Sequence, residues 1–199
     1  YVMPMPPSPY APRSGVSVMP EEHAPFAQQA REDMTRFYQM RAKELVPGGK
    51  VLVQVFGRNE EHSTSHAIFG GISDAMLDMV EAERLERSVY EEFIFPGFFR
   101  SVDELLQPIQ EDAELSKAFR IEKAEAQECS VPFNEELART GNTKAWAASF
   151  ASFIWAFTEP VLMARFPDTP ERPALVGEVR QRLEDSFVAD PKRYPFHYI

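Results

Sequence analysis

His62 and His66 are the residues whose types and spacing could most directly do chemistry. They stand four apart, with Glu60 and Glu61 beside them, a spacing that suits two zinc ligands. A zinc site needs at least three protein ligands. No third His or Cys stands in a convincing position, so the pair reads as a solvated loop running into a helix. Gly48-Gly49 suggests a phosphate-cradling loop. Such loops follow a strand, however, and these glycines precede one. The single Cys129 permits neither an internal disulfide nor a cysteine-rich zinc site. Residue types alone assign no catalytic group and no metal.

The bulk composition limits the partners. The chain has 199 residues, 44% hydrophobic and 12% aromatic, enough for one folded domain with a real core. A net charge of −10 argues against nucleic-acid binding, which needs a basic footprint. Sixteen Phe point to large apolar surfaces between helices or to an apolar pocket. The longest apolar run, AWAASFASFIWAF at 145–157, is shorter than the roughly 20 residues that span a bilayer. It reads as a buried helix, with no transmembrane segment expected. The first residues have no basic-then-apolar leader, and the chain does not start with Met, which suggests processing or a fragment. The simplest setting is a reducing one, the cytoplasm or an organelle interior.

The elements that position these residues follow from pattern. Residues 1–25 are rich in Pro and Ser and read as a linker or arm, which cannot hold a regular helix or a central strand. Within them PMPPSP offers an SH3-type ligand as the functional alternative to a plain linker. Apolar residues near a 3.6 spacing predict a helix over 26–45, ended by Pro47-Gly48-Gly49. The following KVLVQVF, 50–56, predicts a strand buried on both faces and ending in Gly57-Arg58. A second helix is expected over 68–85. The aromatic run FIFPGFF at 93–99 is broken by Pro96-Gly97. Ser101 and Glu104 form a capping box that opens a helix at 102–110. Alternation predicts a strand over 119–125. Helices are expected over 146–165, with a kink or break at Pro160, and over 173–187. YPFHYI at 194–199 predicts a terminal strand. The order suggests an α/β sheet with helices added, yet three strands make a poor independent sheet.

Taken in order, these pieces resemble a known family. Gln29 to Asp33, Phe37 and the run Arg41-Ala42-Lys43-Glu44-Leu45-Val46-Pro47-Gly48-Gly49 are similar to the helix and turn before the family's fifth strand. Residues 51–58 resemble that strand with its Gly-Arg end. Ala75 to Val80 resembles the cap helix. Residues 93–104 resemble the family's Phe-Asn-Ile-Pro-Phe-Tyr stretch and its following Ser-x-x-Glu. Phe119-Arg120-Ile121 with Glu125 resembles the next strand, and Phe150 to Phe166, with Glu159-Pro160, the helix that carries Glu-Pro. The family is the SABATH group of S-adenosylmethionine-dependent carboxyl methyltransferases, of the salicylate and jasmonate type. The resemblance covers roughly residues 26–199 and concerns the carboxyl-terminal portion.

The resemblance implies an α/β fold: the C-terminal part of a class I methyltransferase (Rossmann-like) sheet with a helical cap insertion. The expected divisions are an arm at 1–25, core helix and central strand at 26–58, helical cap at 59–92, and remaining strands and cap helices at 93–199. The implied reaction is methyl transfer from S-adenosylmethionine to a small-molecule acid. The donor-binding residues, the pocket tryptophan and the carboxylate-binding glutamine lie upstream of this chain, so it offers no cofactor-binding residue. The family's Tyr falls on Phe98, which removes a hydroxyl. Its Asn falls on Ile94, so no magnesium site is implied. The acceptor-pocket candidates are Ile68, Phe69, Phe98 and Ile154, with Tyr194 or Phe196 closing the floor. The same side chains suit core packing equally well. Glu159 is expected to be a structural hydrogen-bonding group rather than a base. The expected partner is the missing N-terminal half of the same protein or another subunit. The alternative function is a catalytically inactive, methyltransferase-derived structural subunit of a larger assembly.

Overall fold

A computed structural model describes residues 2–4, 20–59, 64–191 and 196–199. The element order is β1 (Val2–Pro4), α1 (Pro20–Glu44), α2 (Thr64–Glu81), α3 (Arg87–Glu91), β2 (Ile94–Pro96), α4 (Val102–Glu111), α5 (Ala113–Ala118), β3 (Gln127–Cys129), α6 (Pro132–Thr140), α7 (Thr143–Arg165), α8 (Arg172–Ala189) and β4 (Phe196–Tyr198). The described residues are mostly helical, with two two-stranded sheets in place of the expected Rossmann-like sheet.

α1 starts at Pro20, earlier than the Pro-rich reading of 1–25 allowed. Proline fits a first helical position, where its N–H would have no partner in any case. Ala30, Met34 and Tyr38 recur at fours and form the buried stripe of α1. β1 also falls in the supposed arm. It pairs antiparallel with β2, matching Val2 to Pro96 and Pro4 to Ile94, a short edge pair of the kind that tolerates proline. After α1 the chain reverses as expected: Gly49 N–H donates to Val46 O at 2.8 Å, and Gly48 has φ +80°. Proline followed by a positive-φ glycine is the signature of a type II turn.

Residues 50–56 differ from the expected doubly buried strand. Val53 and Val55 pack on a small core made by Met34, Tyr38, Leu105, Ile109, Leu115 and Ile199. Leu52, on the opposite face, is 88% exposed. The reason is that α1, α4 and α5 cover only one face. Pairing begins only at the end of the run. Val55 N–H donates to Ile199 O at 3.2 Å, Ile199 N–H to Val55 O at 3.0 Å, and Gly57 N–H to His197 O at 2.9 Å. β4 thus lies antiparallel to 55–57 on one side and to β3 on the other, with Cys129 opposite Phe196. On the other side of Gly57, Arg58 N–H donates to Arg100 O at 2.9 Å, a parallel bridge.

The strand expected over 119–125 does not form. Residues 120–128 are exposed and the ladder starts at Gln127. Alternation there reflects an extended segment with no neighbour for its first half. The main core lies elsewhere, among α2, α7, α8 and β4. α7 continues through Pro160, so of the expected kink or break the break does not occur. By length and composition it is long and apolar enough to cross a membrane. Here Trp146, Ala147, Phe150, Ala151, Ile154, Trp155, Thr158 and Leu162 are buried, spaced by three and four as in a core helix. Trp146 Nε1 donates to Asn134 Oδ1 at 2.9 Å, so its polar edge has a partner. α3, α5 and α6 are short helices that sequence pattern did not reveal. α6 ends in Gly141 at φ +65°, and Asn142 caps α7 by accepting from Ala145 N–H at 3.1 Å.

Candidate functional site

In sheets with parallel strands, ligands lie beyond the carboxyl ends of those strands. In this chain the segment 51–57 ends at Gly57-Arg58, beside the single parallel bridge to Arg100 among the described residues. Four of the five predicted pocket residues meet nearby. Ile68 and Phe69 come from the first turns of α2, Ile154 from α7 and Phe196 from β4, and none is more than 2% exposed. All four belong to one continuous core. Phe69 packs on Phe95 and Phe99, with centroids 4.3 and 5.8 Å away. Phe196 meets Phe56, Phe150 and Phe153 at 5.5–5.9 Å. The cluster is a dry, aromatic wall, the kind of surface that lines pockets and cores alike. Tyr194 lies outside the described residues.

Phe98 stands apart from that wall. It lines a groove of about 850 Å³ between α1 and α4, together with Arg31, Asp33, Gln39, Arg100 and Glu104. The Arg100 guanidinium lies 5.6 Å over the Phe98 ring and donates to Ala30 O at 2.8 Å. Burial lowers its pKa, and the charges of Asp33 and Glu104 oppose that shift. Tyr38 beneath it donates to Leu105 O at 3.1 Å. Burial raises the Tyr38 pKa and Arg100 opposes it. Cations and carboxylates balance around this groove, which favours neither sign of ligand.

The Gly-Arg end of the strand has a structural role. Glu104 closes the expected capping box: its N–H donates to Ser101 Oγ at 3.2 Å, and Ser101 N–H donates to Glu104 Oε2 at 2.9 Å. Arg58 donates to Glu104 Oε1 at 2.7 Å, tying the strand end to the start of α4. A Cβ on Gly57 would lie 2.7 Å from Ile199 Cγ2 and 2.8 Å from Arg100 O. The missing side chain is therefore taken up by close backbone packing. Gly57 is explained by packing against Ile199 and Arg100.

Glu159, expected to hydrogen-bond structurally, is instead exposed on α7. The hydroxyl that bonds backbone at this point is its neighbour Thr158, which donates to Ile154 O at 2.9 Å. Glu60, Glu61 and His62 lie outside the described residues, as does the side chain of His66. Among the described residues no group of three His, Cys, Asp or Glu is placed to hold a metal. Near β4, burial raises the Tyr198 pKa, and the neighbouring Cys129 adds to the rise.

One residue at the strand end escaped the sequence reading. Thr64, the first residue of α2, is wholly buried. Its hydroxyl accepts from His197 N–H at 2.9 Å and donates to His197 O at 3.2 Å. Its only sequence signal is a β-branched hydroxyl at a helix start, which is common.

The described residues thus form a helical layer packed on a short, mostly antiparallel strand set, with Ile68, Phe69, Ile154 and Phe196 buried together where the 51–57 segment ends. The model of the family described as SAM dependent carboxyl methyltransferase matches residues 16–195. The chain belongs to that family, the SABATH methyltransferases. It is 24% identical over 169 residues to the 3,7-dimethylxanthine N-methyltransferase CkTbS of Camellia sinensis var. assamica, covering 81% of this chain and 40% of that protein. It is 30% identical over 135 residues to the O-methyltransferase acrG of Aspergillus aculeatus, covering 65% of this chain and 36% of that protein. Anthranilate O-methyltransferase 2 of Zea mays is 29% identical over 83 residues, 40% of this chain and 22% of its own length. The chain thus spans well under half the length of the curated relatives it matches.

Proposed function

We propose that this chain is the carboxyl-terminal, acceptor-side portion of an S-adenosylmethionine-dependent methyltransferase acting on a small-molecule carboxylate. The donor-binding part is supplied by sequence outside it, either the N-terminal half of the same protein or another subunit. The observation that carries this reading is the state of residues 51–56. One face is packed on α1, α4 and α5, while Leu52 opposite is 88% exposed. The edge away from β4 bonds backbone only at Arg58, among the described residues. A Val-rich segment in that condition is fitted for parallel neighbours, which doubly wound sheets combine with an antiparallel strand such as β4. The short share of each relative that the chain covers supports the same conclusion.

The chemistry asks little of side chains. A carboxylate is already a nucleophile and a sulfonium a good leaving group, so the catalyst holds the two in line in a dry pocket. In this reading Ile68, Phe69, Ile154 and Phe196 form the apolar wall that excludes water from the acceptor, and residues 59–92 are the cap. Phe98, which replaces a tyrosine of the family pattern, contributes no hydroxyl to acceptor binding. The relatives include both N- and O-methyltransferases, and the carboxyl family description favours oxygen as the nucleophile here.

The test is calorimetry with S-adenosylmethionine on the full-length gene product, followed by transfer of labelled methyl to small carboxylic acids. Donor binding and methyl-ester formation by the full-length protein, with neither by residues 1–199 alone, is the expected result. A full-length protein that binds no S-adenosylmethionine sinks the proposal.

A further inference from the structure

The ladder between the 51–57 segment and β4 is broken at one rung. Antiparallel partners at this position exchange two bonds. One is present, Gly57 N–H to His197 O at 2.9 Å. The reciprocal bond, His197 N–H to Gly57 O, is replaced by Thr64. The Thr64 backbone N–H donates to Gly57 O at 3.3 Å. Its hydroxyl accepts the His197 N–H at 2.9 Å and donates to His197 O at 3.2 Å. The first residue of α2 is therefore inserted as a wedge between two strands, in full burial.

The geometry has a direct consequence for the aromatic wall. Ile68 and Phe69 lie four and five residues after Thr64, so one turn of helix fixes their place relative to the strands. Phe196 is the neighbour of His197 on β4. The wedge thus ties both sides of the wall through one hydroxyl. We infer that Thr64 is a positioning residue: by replacing the last ladder rung it sets α2 over the strand ends and holds Ile68 and Phe69 in register with Phe196. Its role in acceptor binding rests on the functional reading above, whereas the wedge itself does not.

The experiment compares Thr64→Val and Thr64→Ser in the full-length protein. Val keeps the shape and deletes the hydroxyl, while Ser keeps the hydroxyl. Two readouts are used: amide hydrogen exchange at His197 and across α2, and saturation kinetics with labelled S-adenosylmethionine and benzoate, salicylate or jasmonate. The expected result for Thr64→Val is exchange at His197 faster by about tenfold or more, as when a buried donor loses its partner. The KM for the carboxylate rises by a similar factor while the KM for S-adenosylmethionine stays within about twofold, and Thr64→Ser restores both readouts. Unchanged exchange in Thr64→Val overturns the wedge. Faster exchange with an unchanged carboxylate KM, or an equal rise in both KM values, overturns the positioning role. If the unaltered enzyme binds no S-adenosylmethionine or methylates no small carboxylic acid, the functional reading fails and the acceptor role with it, while exchange at His197 still decides the wedge.

Discussion

Gly57 shows how tightly the end of the strand is built. A methyl group there would meet Ile199 Cγ2 at 2.7 Å and the Arg100 carbonyl oxygen at 2.8 Å. Ile199 has some freedom to turn. The Arg100 carbonyl has none, because it is held by Arg58 N–H at 2.9 Å. Relief must therefore come from backbone movement, and overpacking of this kind costs about 1–3 kcal/mol. Gly57→Ala is expected to lower the unfolding free energy of the chain by that order, read as a lower urea midpoint with an unchanged slope, whereas Gly177→Ala, in open space on α8, is expected to be neutral or better. Equal midpoints for the two variants would show that the strand end yields more easily than its contacts indicate. The Gly-Arg pair was visible in the sequence as a family-like motif. Its physical reason was not, because Ile199 and Arg100 are remote in the chain.

Helix termini carry the clearest link between local sequence and pH response. Asp112 ends α4 and caps α5, accepting from Glu114 N–H at 2.8 Å and Leu115 N–H at 3.1 Å. The Leu115 N–H, then the Glu114 N–H, hold its carboxyl below the ordinary value. A carboxylate depressed in the folded state stabilises above its unfolded pKa, near about 3.9. That contribution is lost as pH falls through the lower folded value. Asp112→Asn keeps the capping oxygen but removes the titration. Its stability, measured by denaturant melts from neutral pH down into the acid limb, is expected to fall less steeply than that of the parent below about pH 4. Identical acid limbs would show that the Asp112 bonds to α5 are not kept in solution. The capping box of Ser101 and Glu104 was legible in advance because both partners lie within one turn. α5 was not, since a six-residue helix spans fewer than two turns, too short for apolar spacing to repeat.

At the scale of the whole molecule, the most exposed large apolar side chains among the described residues flank the Pro47-Gly48-Gly49 turn. Leu52 is 88% and Val46 74% exposed. The Lys50–Glu122 ion pair at 2.6 Å brings the start of the 51–57 segment beside Ile121, itself 41% exposed. An apolar strand face with an open edge is a site of association. The isolated chain is expected to form larger species as concentration rises, and Leu52→Lys, which places a charge on that face, is expected to reduce them in sedimentation velocity runs. A parent chain that stays monomeric throughout would remove the main support for a covering neighbour.

Local chemistry was enough to reveal much of this protein. Turn residues announced the Pro47-Gly48-Gly49 reversal, apolar spacing announced α1, α2, α7 and α8, and motif order announced the methyltransferase family. Those signals act over a few residues, or survive as an ordered series, so no partner is needed to read them. Two strand expectations failed for the opposite reason. Residues 50–56 and 119–125 have strand-like composition, yet a strand exists only where a neighbour supplies the other half of each hydrogen bond. Tertiary structure decided that β4 would serve as that neighbour for 55–57 and for β3. It also decided that Thr64 would take one rung of the ladder for itself. It gathered Ile68, Phe69, Ile154 and Phe196 into one buried wall and left Phe98 beside Arg100 in a separate groove. Each outcome depends on contacts between segments far apart in the chain, which no local pattern encodes.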